Sequence, residues 1–346
     1  MTSDMKGGRV DWVDYAKGIC IILVVMMHST LGVEKAAGAF SWLNGFVEWA
    51  RPFRMPDFFL ISGLFLASRI DRPWRQYLDT KLVHFAYFYI LWMTIQFGMK
   101  STGLLADEGV LAALKAYGLG LVQPFGTLWF IYLLALFFVA AKLLRGVPPL
   151  LVFALGAALQ MASIHTGSIV VDEFAGRFVY FFTGYWLARH VFAYAREVRS
   201  LNPLGILGGL AIWAVINAIL VDNGAAKLPG IALVLGFIGA GAVIAMGVFL
   251  SRFSFASPIR YCGENSIVIY LAFFMFMAAT RTLLLKTGMI ADLGLVSLIV
   301  TLAGVTGPVL LFWAVRRTPL SFLFRRPQWA RIPATPRQRA LPAKAA

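Results

Sequence analysis

The chain of 346 residues carries 31 Lys and Arg against 16 Asp and Glu, a net charge of +15, yet 60% of it is hydrophobic and only 14% is charged. With a mean hydropathy of +0.78, this composition excludes a soluble globular domain and a disordered chain, and it fits an integral membrane protein. The positive excess is scattered over short connections rather than gathered on one basic domain, which speaks for topology and anionic lipid and against nucleic acid.

Hydrophobic stretches lie at 15–33, 46–67, 82–99, 127–144, 148–164, 174–191, 203–221, 229–250, 264–285 and 293–315. Each is near the roughly 20 residues a helix needs to cross the hydrocarbon. None alternates with period two between turns as a membrane barrel would. The expectation is an all-α integral membrane protein, a polytopic bundle of about ten transmembrane helices. Lys and Arg concentrate on cytoplasmic connections. With the N-terminus inside, about 21 of them fall on the inner side and about six on the outer, so both termini are expected in the cytoplasm. No repeat and no soluble second domain is visible. Residues 1–320 read as one transmembrane domain and 321–346 as a basic, Pro- and Ala-rich cytoplasmic tail, expected to be disordered. The bilayer is the main partner this implies.

The first stretch, Tyr15-Ala-Lys17-Gly18-Ile-Cys20 through Met27-His28, is not a signal peptide, because Lys17 and His28 interrupt it and no small-residue cleavage site follows. Lys17 lies about three turns below His28 and Asp14 about four, so the three share one stripe of a helix. That stripe runs roughly 20 Å into the bilayer. Ionisable groups at such depth mark cavities, partners or reactions. Cys20 and Cys262 give neither a disulfide framework nor a metal spacing, and no metal site is expected.

The second stretch holds the densest polar cluster, Arg51-Pro52-Phe-Arg54-Met-Pro56-Asp57, followed by Ser62-Gly63. Arg54 and Asp57, three apart, can pair on one helical face, as a cavity wall or simply as a structural ion pair at a kink. Pro52 and Pro56 each remove a backbone donor, so the helix is expected to bend or unwind there. Ser62 and Gly63 permit a close helix crossing. The following connection supplies Arg69, Arg72, Arg75, Lys81 and His84. These suit a polyphosphate, and they also suit the ordinary charge of a cytoplasmic loop.

Further along, Trp129 suits a pocket wall or an interfacial belt. Arg177 either snorkels or binds an anionic group. His165 and His190 read as solvated loop residues. Glu264 and Asn265 read as the cap of the ninth helix, where an acidic group is favourable. Small residues at Gly205, Gly208 and Gly209, and at Gly236, Gly239 and Gly241, can pack inside the bundle or between subunits of an oligomer.

Two runs resemble the opening of the membrane acyltransferase-3 family: Asp14-Tyr-Ala-Lys17-Gly18 with the apolar stretch ending in His28, and Arg54-Met-Pro-Asp57-Phe-Phe-Leu-Ile-Ser62-Gly63-Leu-Phe. Weaker echoes follow at Leu128-Trp129-Phe130, Phe181-Phe-Thr-Gly184-Tyr185 and Gly263-Glu-Asn-Ser266-Ile-Val-Ile-Tyr270-Leu271. The resemblance implies an enzyme that moves an acyl group, acetyl or succinyl, from cytoplasmic acyl-CoA to a hydroxyl of an envelope carbohydrate or lipid-linked acceptor. Acyl-CoA is then a co-substrate, with no cofactor bound permanently. The resemblance assigns the catalytic role to His28. An imidazole of ordinary pKa about 6.5 can take the hydroxyl proton, or can itself accept the acyl group. Where the family shows Arg-x-x-Arg at the start of the third span, this chain has Lys81 and His84, and where many relatives have a histidine after Tyr-Leu it has Phe273. The alternative reading is a secondary transporter for an anionic or sugar solute, since intramembrane Arg, Lys and His also line solute and proton pathways. It lacks the paired interrupted helices of repeat-built transporters.

Overall fold

The computed structural model of the protein describes residues 5, 6, 9–124 and 126–333, and these are overwhelmingly helical. After a two-residue ladder of Met5–Lys6 with Arg9–Val10, α1 (Asp11–Ala37) runs for 27 residues. It ends at Gly38, whose left-handed conformation lets its N–H bond the Glu34 carbonyl, the usual way to stop a helix. The chain then folds through α2 (Leu43–Trp49) and α3 (Arg51–Gly63). Pro52 sits in the first turn of α3, where its missing N–H is harmless, and Pro56 sits inside it.

Next come α4 (Trp74–Leu78), a π-helical turn (Asp79–Val83) and α5 (His84–Asp107), in unbroken succession. They are followed by α6 (Gly109–Val122), α7 (Trp129–Leu143), α8 (Pro149–Met161), α9 (Ile169–Trp186) and α10 (Ala188–Ser200). The last third holds α11 (Pro203–Asp222), α12 (Ile231–Leu250), α13 (Ser257–Glu264), α14 (Ser266–Thr287) and α15 (Leu293–Val315).

Among the described residues, 7 helical segments are long and apolar enough to cross a membrane: α1, Trp74–Met99, Trp129–Gly146, α11, α12, α14 and α15. The protein is a multi-pass helical membrane protein. The expected stretches at 46–67, 148–164 and 174–191 do not become helices of that kind. The first is broken at Ala50 between α2 and α3, the second gives the 13 residues of α8, and the third gives α9, which carries Asp172, Glu173 and Arg177. Helix α6 falls outside every expected stretch, and the stretch at 174–191 ends inside α10.

The first helix is the hub of the bundle, in contact with α3, α12, α13, α14 and α15, while α3 lies in turn against α9 and α12. Close approach at the α3–α9 crossing depends on two glycines. A Cβ on Gly63 would meet the Phe181 carbonyl, and one on Gly184 would meet the Leu60 carbonyl. At the periphery, α11 buries little beyond Ile206, Leu210 and Asn217 and exposes Leu204, Ile212, Val215 and Ile219. Such a face is stable in lipid and not in water. Gly236 and Gly239 pack inside the bundle against Tyr180 and Phe53, whereas a Cβ added at Gly205, Gly208 or Gly209 would meet nothing within 4 Å.

Beyond α15 the chain forms short 3-10 turns at Pro319–Leu323 and Gln328–Ala330. The first part of the expected tail is thus folded onto the bundle as far as residue 333, because its backbone carbonyls and Arg326 find partners on α5 and on the π turn. Residues 334–346 lie outside the described residues.

Candidate functional site

Polar residues of α1 begin at one end of the bundle. Asp14 is 7% exposed, and the Lys17 ammonium stands 3.8 Å from its carboxylate and 5.9 Å from the centre of the Phe65 ring. Together with Gly263, Glu264 and Ser266 these residues line a cavity of about 370 Å³. Gly263 lets α13 lie directly on α1, since a Cβ there would strike the Asp14 carbonyl. Asn265, the residue before α14, does not cap it through its side chain. Glu264 reaches Arg260 at 3.5 Å and Asn265 donates to the Tyr261 carbonyl at 2.9 Å, because the preceding turn of α13 supplies nearer partners.

Further along the same stripe, the half-buried His28 ring faces Phe273 of α14, with centroids 5.4 Å apart. Between Lys17 and His28 the stripe is filled by Ile21, Val24 and Val25, which are 0%, 3% and 0% exposed. The foot cavity therefore ends at Lys17 on α1 and does not extend up to His28. Phe273 continues a chain of aromatic contacts across the bundle. Its neighbour Tyr270 lies 6.3 Å away, accepts a hydrogen bond from the Phe130 N–H at 3.2 Å and donates to the Thr127 carbonyl. Phe130 stacks on Phe58 of α3 at 4.6 Å, and Trp129, beside it, is 6.3 Å from Phe59. The segments around His28, Asp57, Trp129 and Tyr270, far apart in sequence, thus converge on one core.

Arg54 and Asp57 do not pair. The Arg54 guanidinium donates to the Val47 carbonyl at 3.2 Å, with Nε lacking a partner among the described residues. Asp57, 0% exposed, accepts a weak bond from the Cys20 thiol at 3.7 Å, and its Oδ1 has no partner among the described residues. Pro56 and the bend after Ala50 turn the two side chains to different neighbours. The Ser62 hydroxyl donates to the Phe58 carbonyl at 2.7 Å, the usual arrangement for a helical serine.

Lys81 sits in the π turn with its ammonium 3.9 Å from the centre of the Phe138 ring, and the charges of Arg69, Arg72 and Lys17 act on it. His84 follows with its ring against Phe88 at 5.1 Å. Lys142, which sequence reasoning passed over, is 8% exposed and donates to the Ile70 and Arg72 carbonyls at 2.6 and 2.7 Å. It ties the basic connection to α7, with its ammonium 4.6 Å from the Tyr77 ring centre. A lysine inside an apolar stretch was the available signal. Cys20 as the partner of Asp57 had no signal, since only the α1–α3 crossing brings them together.

Arg177 lies elsewhere. It pairs with Glu173 at 3.0 Å and, with Glu48, Arg51, His165 and Lys227, lines a second cavity of about 940 Å³ near the end of α1 opposite to Asp14. Arg54 does not line this cavity, but the charges of Arg177, Glu48 and Arg51, which do, act on it. Among the described residues, no group of three or more His, Cys, Asp and Glu is placed to hold a metal.

These features define a multi-pass membrane protein whose ionisable groups line two cavities at opposite ends of its first helix, with a half-buried imidazole on the helix between them. A family model described as an acyltransferase domain, Acyl_transf_3, matches residues 10–315; the chain belongs to this family and is an acyltransferase. It is 28% identical over 288 residues, 75% of this chain and 77% of the relative, to the inner membrane protein YcfT of Escherichia coli (strain K12). No solved structure matches it.

Proposed function

We propose that the protein carries an acyl group, acetyl or succinyl, from cytoplasmic acyl-CoA to a hydroxyl of an envelope carbohydrate or lipid-linked sugar, with His28 as the catalytic residue. The observation that carries this reading is the α1 stripe: a cation-bearing cavity at Asp14 and Lys17 below, and the half-buried His28 ring above, in a chain of acyltransferase sequence. The protein sits in a bacterial inner membrane, the location named for its relative. Its chain crosses about ten times, with α3, α8 and α9 completing the seven longer segments and both ends in the cytoplasm. The many Lys and Arg on the inner connections support that orientation.

On this topology Lys81, Arg69, Arg72 and Lys17 face the cytoplasm and attract the phosphates of the donor. Lys acts as a point charge and Arg as a bidentate donor. Phe273 covers one side of the imidazole with an apolar ring. The acceptor approaches from the opposite side, where Arg177 and the second cavity lie. In the transfer, the acceptor oxygen bonds to the thioester carbonyl carbon as the C–S bond breaks. The proton that His28 removes from the hydroxyl leaves with the CoA thiol. If the imidazole is acylated first, a bond from its nitrogen to the carbonyl carbon forms as the C–S bond breaks and the CoA thiolate leaves, and that C–N bond then breaks as the acceptor oxygen bonds to the carbon and gives up its proton, which balances the thiolate as the CoA thiol.

The test is thioester consumption by purified protein in nanodiscs supplied with acyl-CoA and an envelope extract. Loss of the thioester stimulated by extract supports the proposal. A transporter would leave the thioester intact, and that result would end it.

A further inference from the structure

Past the family-matched region, which ends at residue 315, the chain lies along α5 as a strap. Trp92 Nε1 donates to the Leu323 carbonyl at 2.9 Å, and the Tyr87 hydroxyl donates to the Phe322 carbonyl at 3.0 Å. Phe324 is buried between Trp92 and Phe312, at 5.5 and 5.7 Å. The strap then closes on Asp79, the first residue of the π turn. Arg326 donates to the Asp79 backbone carbonyl at 2.8 Å and to its Oδ2 at 2.7 Å, while the Ile332 N–H donates to Oδ1 at 2.7 Å. The Arg326 side chain is 7% exposed and that of Asp79 16%, so this is a well-enclosed, charge-assisted clamp rather than a surface ion pair.

We propose that the C-terminal strap is a working part of the acyl-donor site, in which Arg326, by gripping both the backbone and the carboxylate of Asp79, is the positioning residue that sets the π turn and presents Lys81 and His84 to the phosphates of the donor. The inference rests on the reading that the Lys81 side of the bundle receives acyl-CoA. Three observations support it. π turns inside α-helices are rare and recur at functional sites, and this one has its first carbonyl and its only carboxylate held from outside its own helix. Two residues on is Lys81, and five on is His84, which feels Arg326, Arg331, Lys81 and Asp79 together. Both carboxylate oxygens of Asp79 are occupied by the strap, so the one acid within the turn is neutralised where a polyanion would arrive. Removing Arg326 would unlock the turn and leave that acid to repel phosphate.

The experiment uses the full chain in nanodiscs. Wild type, Arg326→Ala, Arg326→Lys, Asp79→Ala and the double variant are compared for calorimetric binding of CoA alone, and for kcat and KM with acyl-CoA. Arg326→Ala is expected to raise the donor KM and weaken CoA binding by about tenfold while kcat changes little. Arg326→Lys should fall between, since an ammonium cannot reproduce the fork to two oxygens. The double variant should be no worse than either alanine substitution alone, because the two residues form one link. Unchanged KM and CoA binding in Arg326→Ala, with or without a lowered melting temperature, would reduce the strap to a structural anchor and overturn the inference. If the wild type itself bound no CoA, the donor reading would fail and the inference with it.

Discussion

The His28 imidazole lies against Phe273 with ring centroids 5.4 Å apart and planes inclined by 36°. Phe273 is fully buried and is one link in the aromatic line Phe273–Tyr270–Phe130–Phe58. A ring so placed holds the imidazole on one side, and its loss opens a void there. Phe273→Ala is expected to destabilise the bundle by about 3 kcal/mol, and turnover should fall further than in Phe273→Leu, which refills most of the space. Melting temperature and kcat measured on both variants check this; equal kcat in the two would show that the ring does not orient His28.

The crossing of α3 and α9 is a second sensitive point. Gly63→Ala and Gly184→Ala each place a methyl against a backbone carbonyl that cannot move aside. Each is expected to destabilise by about 1–3 kcal/mol. Gly205→Ala, which meets nothing within 4 Å, should be neutral or slightly stabilising through helix propensity. Thermal unfolding in detergent distinguishes these outcomes.

Asp57 is a carboxyl with 0% exposure and one oxygen unpartnered among the described residues. A half-satisfied polar group at that depth lowers stability. Asp57→Leu is expected to raise the melting temperature and to abolish turnover, the pattern of a residue kept for function. A variant that is both more stable and fully active would show that Asp57 has no part in the reaction.

Lys81 stands among Arg69, Arg72 and Lys17. If these cations attract the donor phosphates, Lys81→Ala should raise the donor KM about tenfold with little change in kcat. Raising the salt concentration should raise the wild-type KM more than that of the variant, because screening removes the same attraction. Steady-state kinetics at two ionic strengths check both.

Composition and hydropathy were enough for the class of fold, because the length and apolarity of a spanning helix are local signals, and the resemblance carried by the Asp14-to-His28 and Arg54-to-Phe65 runs was enough for the family. Span limits failed where charge and proline interrupt apolar runs, as at Ala50 and in α9. The pairing of Arg54 with Asp57 failed because spacing along one helix says nothing of what neighbouring helices offer: Val47 on one side, Cys20 on the other. The clamp of Arg326 on Asp79 joins residues 247 apart in sequence, and composition alone, basic and rich in proline, read that segment as disorder. Side-chain partners across helices belong to the tertiary structure, and the sequence carries no period for them.

The central claim is most directly tested by release of free CoA from acetyl-CoA or succinyl-CoA, measured for wild type and His28→Ala at equal protein level in nanodiscs, with and without an envelope extract. Release stimulated by extract in the wild type and absent in His28→Ala is the expected result. Equal stimulated release in a correctly inserted His28→Ala protein would contradict a catalytic role for His28.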